Sequence, residues 1–249
     1  MTDAGGRRYA RAMTNILLTG SSRGIGAAIA VALDRPGINL VGHGITSGIP
    51  ADFADPAAPQ ALWQGALERL DGRIDVLINN AGIFEANPID RPAEEWSADW
   101  ERTMRINLTA AAELCRMAVL HWQERRANRD SVGGRIVNIA SRAAYRGDSP
   151  AHWHYAASKA GMVAMTKSIA RGYAAQGILA FAVCPGFTMT GMAEDYLTSR
   201  GGDRILADIP LGRVAAPEEV AEAARFLALD APPSMTGAVI DVNGASYVR

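Results

Sequence analysis

The chain's most restrictive feature lies between residues 14 and 33. A short apolar run, TNILLT (14–19), breaks at a glycine turn and feeds directly into an Ala-rich stretch with helical spacing, GIGAAIAVAL (24–33). Such a run reads as a buried strand, and Pro36-Gly37 stops the helix that follows it. The alternation continues along the chain. INLVGHG (38–44), DVLIN (75–79), RIVNIA (135–140), 179–183 and 238–242 read as strands. Residues 94–126 read as one long helix or two, 152–175 as another, and 217–229 as a helix with Pro217 in its first turn and acids behind it. Strands alternating with helices demand a parallel sheet covered on both faces. No repeat, low-complexity tract or linker interrupts residues 14–249, so the sequence predicts a single α/β domain. Residues 1–13 read as a flexible N-terminal extension: arginines occur there without the apolar stretch of a secretory signal, and Met13 offers an alternative start.

Charge and cysteine content narrow the function classes. With 25 basic and 26 acidic residues, a net charge of −1 predicts neither a nucleic-acid nor a membrane partner. No run of about 18 apolar residues exists to span a bilayer. Cys115 and Cys184 are far apart and fit no metal or redox motif, so they read as free buried thiols in a reducing, cytoplasmic protein. Only Lys159 and Lys167 among the basic residues are lysines, the rest being arginine.

The turn after the first strand, Thr19-Gly20-Ser21-Ser22-Arg23-Gly24-Ile25-Gly26, has TGxxxGxG spacing. Glycines there let the backbone turn tightly and approach a pyrophosphate at the positive helix N-terminus, although a glycine turn can also be purely steric. Its place between first strand and first helix favours the dinucleotide reading, hence a Rossmann-type, doubly wound sheet. Farther on, Tyr155 and Lys159 stand four apart on a predicted helix and so share a face. An ammonium beside a phenol favours phenolate; lowering a tyrosine pKa from about 10 by about 3 units takes about 4 kcal/mol. The same spacing also suits an ordinary amphipathic helix. Ser141, at the end of the RIVNIA strand, and Asn79 to Gly82, at the end of the strand before it, fall on the carboxyl edge of the sheet, where ligands of such folds bind. Asn107 is a lone amide within the helical MRINLTAAAEL.

TGSSRGIG, NNAG (79–82), Asn107, Ser141, YxxxK (155–159), CPG (184–186) with Thr190, and TGAVIDVNG (236–244) occur in that order. Together they resemble the short-chain dehydrogenase/reductase family, within it the 3-oxoacyl-carrier-protein reductase-like branch, over residues 14–247. The resemblance implies a parallel sheet of about seven strands flanked by helices. It implies that Tyr155 is the general acid in reduction and base in oxidation, that Lys159 lowers its pKa and holds the nicotinamide ribose, that Ser141 polarises the carbonyl, and that Asn107 holds a proton-relaying water. Gly20, Gly24 and Gly26 would accommodate the pyrophosphate, with Ser22, Arg23 and Ile25 in the same turn. Asp52 and Phe53 would hold the adenine, Asn80, Ala81 and Gly82 would pack near the adenosine ribose, and Pro185, Gly186, Thr188 and Thr190 would flank the nicotinamide.

Three departures bear on this. The segment from His43 to Asp52 is short, predicting a trimmed sheet edge after the second strand. Ser141 and Tyr155 are one residue farther apart than is usual, the extra residue falling in GDSPAHWHY, and the tail reads VNGA rather than VDGG. His152 and Trp153 are expected to line the substrate pocket, with Met192 in a lid over residues 189–206. His152 and His154 lack suitably spaced partners, so no metal site is expected. From Arg35 through Ala51 there is no Asp or Glu. A 2′-phosphate therefore meets no repelling carboxylate at the end of the second strand, Arg23 can face it, and His43 can add a donor. These favour NADP(H), with NAD(H) open. The expected reaction interconverts a ketone, 3-oxoacyl among the possibilities, and a secondary alcohol. The alternatives are an NAD-linked alcohol, sugar or steroid dehydrogenase and a non-catalytic dinucleotide sensor. Arg125, Arg126 and Arg129 are candidates for holding an acidic carrier, though Gln176 stands where such relatives often carry arginine. A homotetramer is the expected assembly, with a dimer as second choice.

Overall fold

The computed structural model describes residues 13–128, 133–190 and 202–249. The N-terminal extension up to residue 12, Arg129, and Met192 with the central part of the expected lid lie outside the described residues. Seven strands form one sheet: β1 (Thr14–Leu18), β2 (Ile38–Gly44), β3 (Ile49–Pro50), β4 (Val76–Asn79), β5 (Gly134–Ile139), β6 (Ile178–Pro185) and β7 (Val239–Val242). Their spatial order is β3-β2-β1-β4-β5-β6-β7, every pair parallel. The chain thus starts at the sheet centre, winds outward to β3, then crosses to the other half, as the Rossmann-type reading requires.

Alternation along the strands divides the core into two layers. Leu17, Leu77 and Ile136 face one side, where α2 (Ala58–Arg69), α4 (Ala110–Ala127) and α6 (Trp153–Tyr173) cover them. Ile16, Leu18, Ile78 and Val137 face the other, under α1 (Gly24–Leu33) and α8 (Pro217–Leu229). Trp122 is fully buried and donates its indole N–H to the Ile74 carbonyl at 2.6 Å. Gly134 at the start of β5 makes room for that ring, since a Cβ there would overlap it.

The sheet edge is trimmed as the short segment predicts: β3 is two residues long and pairs with His43 and Gly44 of β2. Among the longer helices, α2 is not one of the elements read from sequence. Prolines at 56 and 59 look like loop punctuation, yet Pro59 occupies the first turn, where its missing N–H costs nothing. Residues 93–127 form α3 (Ala93–Met104) and α4 joined without a break by a π turn, Arg105–Thr109. Two short helices, α5 (Ala143–Arg146) and α7 (Gly202–Ala207), likewise not read from sequence, complete the set among the described residues. No helix among the described residues is long and apolar enough to cross a membrane.

Candidate active site

The carboxyl ends of β1, β4, β5 and β6 bring the sequence motifs to one edge. After β1 the chain turns at Gly20, whose φ of +66° suits glycine, and a Cβ on Gly26 would collide with the Gly20 carbonyl. The β4 end holds this turn in place. Asn80 Nδ2 donates to the Thr19 and Gly20 carbonyls at 3.1 and 2.9 Å, and the Thr19 hydroxyl accepts the Asn80 and Ala81 N–H groups at 3.0 Å each. Arg23 is the N-cap of α1 in extended conformation and makes no side-chain cap. The Arg23 side chain therefore leaves the first amides of α1 uncapped, at the positive end of the helix dipole and beside the Cβ-free positions Gly20, Gly24 and Gly26. Thr190 approaches the same cradle from the β6 side, its methyl 3.0 Å from the place a Gly24 Cβ would take. Beyond β6, Gly186 packs against the Asn243 backbone, and Thr188 Oγ1 donates to the Gly186 carbonyl at 3.2 Å. These residues fit a dinucleotide: a pyrophosphate needs close backbone approach and helix N-terminal N–H donors, and among the described residues the turn offers both.

Two expected cofactor contacts are used otherwise. His43 is buried; its Nδ1 accepts the Gly20 N–H at 3.2 Å and its Nε2 meets the Ala51 carbonyl at 3.0 Å. Burial lowers its pKa, partly offset by the Ala51 bond. Both ring nitrogens are spent, so His43 is a neutral buttress under the glycine turn rather than a phosphate donor. Phe53 is buried too, stacked on His43 with centroids 4.5 Å apart, and so presents no open ring face for an adenine. Asp52 remains exposed, its carboxylate accepting the Ala54 N–H at 2.9 Å. Sequence reading passes over Ser47. Its hydroxyl and that of Ser22 both come within 3.2 Å of where a Gly44 Cβ would stand, at the end of β2.

On the other half of the edge, Tyr155 and Lys159 lie one turn apart on α6, with Lys159 Nζ 5.8 Å from the Tyr155 ring centroid. The Ser141 side chain lies beside the Tyr155 phenol and accepts the Ala143 N–H at 3.1 Å. Lys159 is 4 % exposed and donates to the Ile139 carbonyl at 3.0 Å. Gly82 closes this corner: a Cβ there would lie 3.5 Å from Lys159 Nζ and 3.1 Å from Asn107 Oδ1. Asn107, fully buried in the π turn, accepts the Ile83 N–H at 2.8 Å, donates to the Ile83 carbonyl at 2.9 Å, and reaches Ser158 Oγ at 3.3 Å. Its side chain is therefore committed to the loop after β4, and a water there would have to use the main chain of the π turn.

Burial dominates the electrostatics of the pair. It pushes the Tyr155 phenol up to about 12, against a lowering by Ser141, and pulls Lys159 down to about 8. The Lys159 ammonium is turned to the Ile139 carbonyl and is itself costly to charge. His152 stands at the N-cap of α6 with its ring 3.9 Å from that of Phe84, which in turn meets Tyr155 edge to face at 4.7 Å. Trp153 beside it is half exposed, whereas His154 is buried and faces Trp100. Among the described residues no three His, Cys, Asp or Glu side chains converge as metal ligands. Arg126 donates to the Gln176 carbonyl and Arg125 pairs with Asp75, which directly precedes β4. Both therefore sit at the amino edge of the sheet, opposite Tyr155, and not at the mouth of this chain's own cleft.

Comparison with known proteins agrees with this arrangement. A family model described as enoyl-(acyl carrier protein) reductase matches residues 20–245. The 3-oxoacyl-[acyl-carrier-protein] reductase FabG of Vibrio cholerae is 32 % identical, covering 93 % of this chain and 96 % of its own. Acetoacetyl-CoA reductase of Rhizobium meliloti is 36 % identical over 93 % and 97 %. The 3beta-hydroxysteroid dehydrogenase 1 of Eggerthella lenta is 33 % identical over 92 % of each chain. With the glycine cradle, the Ser141–Tyr155–Lys159 group and the sheet order all in place, the chain belongs to the short-chain dehydrogenase/reductase family of oxidoreductases.

Proposed function

We propose that this enzyme interconverts a ketone and a secondary alcohol with NADP(H), using Tyr155 as general acid and base. The observation that carries the reading is the convergence of Ser141, at the end of β5, on the Tyr155 phenol, with Lys159 one helical turn behind, beside the glycine cradle. Two neighbouring hydroxyls can both turn to one carbonyl oxygen. Ser141 then holds the oxygen and Tyr155 gives its proton as alkoxide character develops. A bound reduced nicotinamide would supply the hydride. Lys159, fixed by Ile139, places a charge behind the phenol as it becomes phenolate. Asn107 fixes the Ile83 backbone and so the wall opposite Tyr155. The relatives reduce 3-oxoacyl and acetoacetyl thioesters or act on 3β-hydroxysteroids, according to their names, which brackets the substrate as a carbonyl beside a bulky remainder.

The NADP(H) preference rests on charge at the end of β2. Arg23 is exposed with no ion pair among the described residues, Ser22 and Ser47 place hydroxyls at the end of β2 around Gly44, and no carboxylate occurs from Arg35 through Ala51. A guanidinium meeting a 2′-phosphate forms charge-assisted bonds contributing about 1.5–3 kcal/mol. Arg23→Ala should weaken NADPH about 10- to 100-fold and spare NADH. Titrating both cofactors against wild type and variant by protein fluorescence decides it. Equal losses, or a wild type that binds NADH more tightly, would remove Arg23 from this role.

A further inference from the structure

Phe84 is an exposed aromatic residue on an immobilised backbone. It follows β4 in a loop, where hydrophobic side chains usually fold inward, yet it is 42 % exposed. The residues around it are pinned one by one. Asn107 holds both backbone groups of Ile83, the His154 ring lies against the Glu85 backbone, and the Asn87 N–H donates to the Ala151 carbonyl at 2.8 Å. The Asn87 side chain reaches the Trp96 carbonyl at 2.9 Å as well. Phe84 is thus held in the open by its neighbours on both sides.

The ring's surroundings give that exposure a direction. Phe84 and His152 are nearly parallel stacked rings, with centroids 3.9 Å apart and planes tilted by 4°. The Ser149 hydroxyl contacts His152 Nδ1 at 2.6 Å and fixes the plane of the imidazole, and burial keeps that ring neutral by lowering its pKa. Tyr155 stands edge to face with Phe84, so the proton donor touches the stack. Trp153, 50 % exposed, lies next in the chain.

We infer that Phe84 and His152 form a stacking platform for the flat aromatic or conjugated ring of a ketone substrate whose carbonyl reaches Tyr155 and Ser141. This rests on the oxidoreductase reading above and goes on to name a substrate class. A rigid pair of rings rewards another π-system beyond the area it buries, through offset or edge contacts. A flexible acyl chain gains only the area and must also be ordered on binding. The separation matters too. With Phe84 touching Tyr155, a carbonyl on the ring itself, or on the atom attached to it, falls beside the phenol, whereas a carbonyl near the end of a long chain does not need the platform at all.

The test follows NADPH consumption with 1-tetralone and, in parallel, with straight-chain ethyl acetoacetate, for wild type, Phe84→Leu and His152→Phe. Phe84→Leu should raise KM for 1-tetralone by about 2- to 12-fold more than KM for ethyl acetoacetate, so that the ratio of the two KM values, not either alone, carries the result. His152→Phe keeps a flat stacked ring and should hold the 1-tetralone KM within about twofold of wild type. Because Phe84 is exposed, near-UV circular dichroism should show the variants folded. Turnover of ethyl acetoacetate without 1-tetralone, or a Phe84→Leu effect equal for both ketones or absent for both, overturns the platform and leaves the oxidoreductase reading standing. If neither ketone is reduced with NADPH or NADH, the oxidoreductase reading fails, and the platform with it.

Discussion

Burial opposes charge on both partners of the Tyr155–Lys159 pair, holding the phenol near 12 and the ammonium near 8. At neutral pH Tyr155 therefore carries its proton and is ready to give it to an alkoxide, while oxidation would need cationic charge to draw the proton off. Replacing the hydroxyl tests this directly. Tyr155→Phe should retain NADPH binding and lose about 10²- to 10⁴-fold in turnover, and a folded variant keeping a third of wild-type activity would contradict the assignment. Lys159 adds a pH limb whose sign follows from its lowered pKa: it is charged below about pH 8 and neutral above. Since the charged form stabilises developing phenolate, kcat/KM for ketone reduction should be level below pH 8 and decline above it. A profile level to pH 10 would show that the ammonium's charge is not used. His43 shows why single residues mislead when read from sequence alone. A histidine ending a strand beside a glycine turn looks like a free donor, and only the fold brings Gly20 and Ala51 onto its two nitrogens.

Elements whose ends carry chemical punctuation were legible in the sequence, and those whose ends do not were hidden. The glycine turn and Pro36-Gly37 bracket α1 so sharply that its span, Gly24–Leu33, follows from them. The π turn at Arg105–Thr109 has no such mark, because RINLT reads as ordinary helix; only packing of Asn107 against the Ile83 backbone shows why the helix widens there. The Phe84–His152 stack was hidden as well, since its halves come from separate elements. α5 is another element whose role emerges from contacts. It begins two residues after Ser141 and is tied to the segment beyond α7 by Asp208, whose Oδ2 accepts from Arg142 at 3.3 Å and Arg146 at 2.5 Å. Arg146 also donates to the Ser246 carbonyl at 3.1 Å. These pairs are partly exposed, so Asp208→Asn should cost at most about 1 kcal/mol in urea unfolding. Its larger effect should be on catalysis, up to about 10-fold in kcat/KM, because α5 supplies the Ala143 N–H that holds Ser141. Loss of stability without loss of kcat/KM would show the cluster to be purely structural.

At the scale of the molecule, the two edges of the sheet are treated differently. The β3 edge is two residues long and ends in Pro50, which has no N–H to offer, so it gives a foreign strand little to pair with. The β7 edge is a four-residue strand, Val239–Val242, with β6 on one side only and every residue half-buried. Among the described residues its open side is covered by little more than Arg249, whose guanidinium donates to the Val239 carbonyl at 2.5 Å and to Asp241 at 2.9 Å. An unpaired apolar strand of this kind is the natural seam for a second copy, and a two-fold axis would let each β7 cover the other. Together with the family resemblance this leads us to expect a homotetramer assembled in part through β7. Light scattering at micromolar concentration should give four chain masses, and a monomer there would refute the expectation. Hydrogen exchange locates the seam: amides of β7 that point away from β6 should be protected in the assembled state and exchange quickly once dilution dissociates it. A tetramer whose outward β7 amides exchange freely would place the interface elsewhere on the molecule.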